Sequence, residues 1–148
     1  MPHAGLINAD ELGPEAAALQ RARLHIRGGK RRLRQGKIAS GIVTLYDALA
    51  SATEWFLLSP GRRAALLIRA DDDLTDDKTA FNVLVRSGVI GREFDYEAFD
   101  RIVEQALHEN LSDYNYSPLL EGIEAVMMQL GVMPFDESAL PPEDPATY

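Results

Sequence analysis

The chain contains no cysteine, which excludes disulfide bonds, thiol nucleophiles and cysteine-ligated metals. Apolar stretches such as residues 55–58 are far shorter than the roughly 20 residues that a membrane-spanning helix requires. The N-terminus also lacks the basic and then apolar pattern of a secretory signal. Together these absences predict a cytoplasmic protein that does not enter a membrane.

Motifs that carry chemistry are scarce as well. The sequence has neither a phosphate-binding loop nor a dinucleotide-binding glycine pattern, and no serine lies in a nucleophile elbow. His3, His25 and His108 lack the spacing of a metal motif. Five aspartates fall within residues 71–77, but the glycine and the glutamate of a calcium loop are missing, which favours a solvated loop with a helix cap. We therefore expect no metal and no cofactor.

Positive charge is concentrated near the start of the chain. The net charge is −8, yet residues 1–37 carry eight of the 15 Lys and Arg residues and only three of the 23 acids. This distribution predicts a basic stripe on an acidic body. The stripe is either a solvated helix face that neutralises the acids of the body, or a nucleic-acid contact through phosphates. The basic stripe comprises Arg21, Arg23, Arg27, Lys30, Arg31, Arg32, Arg34 and Lys37.

Apolar residues recur at helical spacing through most of the chain. They recur every seven residues in 12–33, and they follow steps of three and four in 38–56, which predicts a long second helix at the centre of the core. The glycines at 28 and 29 should break or bend the first helix. No segment alternates as a strand does. We predict an all-α fold, an antiparallel bundle of four to five helices in a single domain of residues 1–131. The Pro-rich residues 132–148 should form an extended or disordered tail.

Local signals predict several helix ends. Asp76 or Thr75 should cap the third helix through a side-chain oxygen. Ser117 should cap the fifth helix, with Pro118 at its first helical position, where the missing N–H has no cost. Gly131 should close that helix.

Residues 108–116 lie between the last two predicted helices, and we call this segment the knuckle. It is rich in amides, acids and tyrosines. Because tyrosine combines an apolar ring with a polar tip, the knuckle either packs the two helices together or lines a shallow pocket. The ligand or pocket candidates are Glu109, Asn110, Asp113, Tyr114 and Tyr116.

Three segments resemble the HEPN family (higher eukaryotes and prokaryotes nucleotide-binding). Residues 34–49 resemble the family's long helix, with a basic start, small residues and then an aromatic, and residues 78–90 resemble its short middle helix. The knuckle is similar to the family's signature, Arg-Asn-x-x-x-His-x-Tyr or Arg-Asn-x-x-Asp-Tyr. The resemblance covers about residues 15–131. It implies a helical bundle, often a homodimer, in a family of RNA-cleaving toxins and of partners of nucleotidyltransferases.

The knuckle departs from that signature at its two catalytic positions. Asn110 and Tyr116 match, whereas Glu109 stands in the place of the arginine and Tyr114 in the place of the histidine. A carboxylate would repel the phosphate, and a phenol with a pKa of about 10 is a poor proton carrier at neutral pH. We therefore expect a non-catalytic binding or regulatory module that acts through protein–protein contact or by holding a nucleotide.

Two alternatives stay open at the level of sequence. Arg101 and His108 have the family's loose Arg-x(4–6)-His spacing, and seven residues along a helix return to the same face about 10 Å away. This pair would serve a ribonuclease of the toxin type. The second alternative is nucleic-acid binding through the basic stripe, which predicts a steep loss of affinity with added salt.

Overall fold

The computed structural model describes residues 12–147, so His3 lies outside the described part of the chain. Within 12–147 it contains six α-helices, two short 3₁₀-helices and no strand, which confirms the predicted all-α class. No described helix is long and apolar enough to cross a membrane. The α-helices are α1 (Pro14–Arg34), α2 (Ile38–Leu58), α3 (Pro60–Ala64), α4 (Asp77–Arg86), α5 (Tyr96–Ala106) and α6 (Ser117–Leu130), and the 3₁₀-helices are Glu137–Ala139 and Pro145–Thr147.

The two longest helices, α1 and α2, form an antiparallel hairpin. Gly41 near the start of α2 meets Leu33 near the end of α1, whereas Glu54 late in α2 pairs with Arg21 early in α1. The predicted break at the paired glycines is wrong, because α1 is continuous through both. Gly29 lies so close to α2 that an added Cβ would stand 3.0 Å from Leu45 Cδ2. Gly29 therefore serves close helix packing.

Helix α2 is the centre of the fold, as its apolar spacing predicts. It packs against each of the other five α-helices. Ile42, Leu45 and Ala48 are fully buried on it. Aromatic side chains connect α2 to the C-terminal half of the described chain. Their neighbouring ring centroids lie 4.7–6.2 Å apart. They are Tyr46, Phe81, Phe94, Tyr96 and Phe99.

Three of the six described α-helices, α3, α4 and α5, begin at a residue whose side chain caps the helix. Asp76 caps α4 by accepting a hydrogen bond from the N–H of Thr79, which confirms the cap predicted there. Gly131 ends α6 in the left-handed conformation with φ 89°, also as predicted. The cap predicted for Ser117 is wrong by one residue, because α6 already includes Ser117 and Tyr116 occupies the cap position.

The C-terminal segment, residues 132–147, lies along the face of α1 that α2 leaves uncovered. Val132 is fully buried, and its carbonyl accepts a hydrogen bond from Arg23 Nε at 3.0 Å. Further along, the carbonyl of Pro141 accepts from Arg27 Nη2 at 2.7 Å. The segment expected to be an extended or disordered tail thus has specific partners on α1.

Candidate functional site

An apolar groove of about 340 Å³ opens between α5 and α6. Its size and lining fall in the range that is typical of ligand and side-chain pockets. We call it the α5–α6 groove. It is lined by Gly91, Glu93, Phe94, Asp95, Ala98, Phe99, Ile102, Tyr114, Pro118, Leu119, Gly122, Ala125, Val126 and Gln129.

Small residues open the α5–α6 groove, and aromatic residues form its walls. Ala98 on α5 and Gly122 and Ala125 on α6 leave space between the two helices. A Cβ at Gly122 would stand 3.1 Å from Phe94 Cδ2, so the aromatic wall already contacts the backbone of α6 there. Phe94 packs edge-on against buried Phe99 with ring centroids 5.6 Å apart, which fixes the position of the wall.

The polar atoms at the rim of the α5–α6 groove are held by local hydrogen bonds. Asp95 caps α5 and accepts from the N–H of Ala98 at 3.0 Å. Gln129 Oε1 accepts from the N–H of Gly91 at 3.1 Å, which ties the end of α6 to the loop before α5. The carboxylates of Glu93 and Asp95 are both exposed there. The rim is therefore acidic.

The surroundings share this charge. Residues 91–131, which include α5, the knuckle and α6, carry nine Asp and Glu residues and only two arginines. Such an excess of one sign produces a field that repels phosphates and attracts cations.

The knuckle forms a shallow cavity that adjoins the α5–α6 groove. The two cavities share Ile102 and Tyr114. Four of the five predicted candidates line the knuckle cavity, and the fifth, Tyr116, does not line it and is half-buried against the core. The four are Glu109, Asn110, Asp113 and Tyr114.

The backbone of the knuckle is constrained. Leu111 has a φ of 54°, a left-handed conformation that non-glycine residues seldom adopt. Asn110 Oδ1 accepts from the N–H of Ser112, and Asn115 Oδ1 accepts from the N–H of Ser117, both at 3.3 Å. Tyr114 packs its ring against the core while lining both cavities. The two interpretations of the knuckle, helix packing and a pocket, thus apply to the same tyrosine.

The alternative catalytic pair does not share a helix. Helix α5 ends at Ala106, so the expectation that Arg101 and His108 lie on one helical face is wrong. Both side chains are exposed, and neither lines the α5–α6 groove or the knuckle cavity. His108 Nε2 lies 3.3 Å from Glu104 Oε1, and this imidazole is 71% exposed.

The C-terminal segment covers the middle of the basic stripe. Arg31 Nε donates to Glu143 Oε2 at 2.8 Å, and Arg27 Nε lies 3.9 Å from the same carboxylate. The guanidinium of Arg23 lies over the ring of Phe135, 5.2 Å from its centroid. The side chain of Glu143 is only 10% exposed. A phosphate would have to displace this segment in order to reach these arginines.

Three further cations of the basic stripe also have partners. Arg21 pairs with Glu54 at 3.1 Å, and Lys30 pairs with Glu124 at 3.6 Å. Arg32 is buried and donates to Thr44 Oγ1 at 3.2 Å. Arg34 and Lys37, the last two members of the stripe, are exposed. This arrangement favours the interpretation of the stripe as a face that neutralises the protein's own acids.

The acidic loop of residues 71–77 is used in capping and pairing. Asp72 pairs with Arg86 at 2.8 Å and also accepts a hydrogen bond from the N–H of Arg69. The bond to Arg86, followed by the bond from Arg69, holds the pKa of the Asp72 carboxyl below its ordinary value. Asp73 accepts from the N–H of Thr75 at 3.0 Å. Among residues 12–147 no group of three or more His, Asp or Glu side chains is arranged to hold a metal ion.

A cluster of phenols and carboxylates joins α2, α4 and α5, and sequence reasoning missed it. Tyr46 OH donates to Asp77 Oδ2 at 2.5 Å, and Tyr96 hydrogen-bonds to Tyr46. Burial, followed by the bond to Asp77, raises the pKa of Tyr46 to about 12. Burial likewise raises the pKa of Tyr96 and of Asp100 above their ordinary values. Because its members are spread over three helices, no local spacing in the sequence could reveal it.

Comparison with known proteins adds no relative to this description. No protein-family model matches the chain, and neither a curated protein nor a solved structure matches it. The function is therefore inferred from the α5–α6 groove and the knuckle themselves.

Proposed function

We propose that the chain is a non-catalytic, HEPN-like binding module that acts through contact between the α5–α6 groove and another protein. The observation that carries the proposal is an open apolar groove of about 340 Å³ with aromatic walls and an acidic rim. A groove of this volume has room for one or two large apolar side chains, which are the anchors that dominate most protein interfaces.

The acidic rim favours a protein ligand over a nucleotide. A nucleotide would bring phosphates close to Glu93 and Asp95, with no described lysine or arginine lining the groove to neutralise them. Like charges at short distance are destabilising in a partly desolvated site. Apolar side chains of a protein are not repelled by these carboxylates, and their burial against Phe94, Leu119 and Val126 would stabilise the complex.

The chemistry of the knuckle supports a role without catalysis. Glu109 and Tyr114 occupy the positions at which the HEPN signature has its arginine and histidine. Arg101 and His108 lie outside both cavities. RNA cleavage requires a cation that stabilises the charge on the phosphate and a general acid or base that titrates near neutral pH. No arginine or histidine of the described chain lines either cavity. The resemblance to the HEPN family suggests that the partner is a nucleotidyltransferase or a second copy of the chain in a homodimer.

Affinity capture with matched variants tests the protein-binding role. Ala125→Trp fills the α5–α6 groove from α6, and Ala64→Trp places the same bulk on exposed α3. A protein that is retained by the wild type and by Ala64→Trp, but lost with Ala125→Trp, is the expected result. The same set of proteins on all three baits would contradict the assignment of the groove.

An RNA-cleavage assay tests the non-catalytic part. Purified protein in chelator should cleave a structured RNA no faster than buffer alone. Robust cleavage that disappears in a His108→Ala variant would overturn the proposal in favour of the toxin-type ribonuclease.

A further inference from the structure

The α5–α6 groove and the knuckle cavity form one elongated surface. They adjoin at Ile102 and Tyr114, which line both. The surface is apolar along the groove, where Leu119 and Val126 of α6 line it together with Phe94 and Phe99. An elongated track of this kind fits a segment of polypeptide better than it fits a compact small molecule.

Carboxylates lie at both ends of this track. Glu93 and Asp95 line the groove at the start of α5, and Glu109 and Asp113 line the knuckle cavity beyond its end. All four side chains are exposed, and none forms an ion pair with another residue of the described chain. Their charge is therefore available to a partner.

From this arrangement we infer that the track receives a cationic segment of a partner protein, with apolar side chains at its centre and Lys or Arg at both ends. The inference rests on the proposed protein-binding function and adds the chemical class of the ligand. The apolar centre of the segment is buried in the α5–α6 groove. Its cations meet Glu93 and Asp95 at one end and Glu109 and Asp113 at the other.

A second copy of the chain fits the track less well than a separate protein. The basic stripe is the main concentration of cations in the sequence, and six of its eight members already contact partners within the described residues. Only Arg34 and Lys37 of the stripe are exposed. The basic stripe of a second copy therefore offers only these two cations without breaking contacts of its own, fewer than the four carboxylates of the track.

Fluorescence anisotropy with three synthetic peptides tests the inference on the full chain. The peptides share one amphipathic centre of leucine and phenylalanine and are flanked at both ends by lysines, by serines or by glutamates. At low salt the lysine-flanked peptide should bind about tenfold more tightly than the serine-flanked one, and the glutamate-flanked peptide should bind most weakly. Added salt should reduce the difference.

Shape-conserving variants identify the charges. Glu93→Gln with Asp95→Asn, and Glu109→Gln with Asp113→Asn, should each weaken the lysine-flanked peptide about threefold, since each double variant removes the carboxylates at one end of the track only. Asparagine at position 95 retains the cap of α5, so the helix is preserved. Glu121→Gln with Glu137→Gln removes two exposed carboxylates outside both cavities and should leave the affinity unchanged.

The outcomes separate this inference from the proposed function. If all three peptides bind equally and Ala125→Trp weakens all of them, the groove binds protein but the cationic preference is overturned. If the lysine-flanked peptide binds Ala125→Trp as well as it binds the wild type, it does not use the groove, and the inference fails. If no peptide binds the wild type at all, both the inference and the proposed groove contact are contradicted.

Discussion

Gly41 of α2 lies directly against Leu33 of α1, and a Cβ at Gly41 would stand 2.7 Å from Leu33 Cγ and 3.2 Å from the Leu33 backbone nitrogen. The backbone nitrogen can move only with helix α1, and Cγ can move only if the buried Leu33 side chain changes its χ1 rotamer. The absence of a side chain at Gly41 thus sets how closely the two longest helices approach.

Gly41→Ala should destabilise the protein. Alanine gains about 1 kcal/mol of helix propensity over glycine, but overpacking a close helix contact costs about 1–3 kcal/mol. We expect the free energy of unfolding, measured by urea titration, to fall by about 1 kcal/mol. Gly61→Ala on α3 is the control, because a Cβ there meets only Ser59 Oγ at 3.8 Å. A Gly41→Ala variant as stable as Gly61→Ala would show that the helices can separate without cost.

His25 should make the protein less stable in mild acid. Its side chain is buried, and Nδ1–H donates to the carbonyl of Arg21 at 2.8 Å. Burial lowers the pKa of His25 below the ordinary 6.5, although the bond to Arg21 and the charge of Asp47 act in the opposite direction. The unfolded chain therefore binds the proton more readily than the folded one, and stability is lost as pH falls through 6.5.

Urea titrations across this pH range check the prediction. The free energy of unfolding of the wild type should decline as pH falls from neutral, and His25→Gln should remove part of this slope. His108→Gln, which removes an imidazole that is 71% exposed, is the comparison. An identical slope in wild type and His25→Gln would mean that His25 does not contribute.

Tyr46 should limit stability in alkali. Its pKa is raised to about 12, mainly by burial and then by the hydrogen bond to Asp77. The unfolded phenol loses its proton near its ordinary pKa of 10.0, before the folded one does, so stability is lost as pH rises from 10 towards 12. Tyr46→Phe should flatten this alkaline limb while lowering stability at neutral pH, because the bond to Asp77 is lost. Tyr114→Phe is the matched control, and an equal flattening in both variants would contradict the assignment.

Glu143 should hold the C-terminal segment against α1. Glu143→Gln removes the carboxylate that lies 2.8 Å from Arg31 Nε and 3.9 Å from Arg27 Nε, and breaking a largely buried ion pair is costly. We expect the free energy of unfolding to fall by about 2 kcal/mol and limited proteolysis within residues 132–147 to accelerate. Exposed Glu137→Gln is the control. Equal proteolysis of the two variants would indicate that Glu143 does not hold the segment.

Much of the fold was predictable because helices are specified locally. The apolar spacing of α2, the cap at Asp76 and the left-handed end at Gly131 each depend on residues within a few positions. The break predicted at the paired glycines of α1 was wrong, because the role of Gly29 depends on another helix, where it packs against Gly41 and Leu45.

The candidate site was less predictable than the helices. The knuckle candidates at 109, 110, 113 and 114 do share a cavity, because they are close in sequence. The α5–α6 groove could not be foreseen, since it depends on how far apart two helices pack. The pairing of Arg31 with Glu143 joins residues 112 positions apart, and no local pattern connects them.

The most direct test of the proposed binding surface is to titrate the lysine-flanked peptide into isotope-labelled protein and to map the changes in amide chemical shift. The changes should concentrate in α5, the knuckle and the groove-facing side of α6, and Ala125→Trp should abolish them. Changes confined to α1 or to the acidic loop of residues 71–77, with α5 and α6 unaffected, would contradict the proposal.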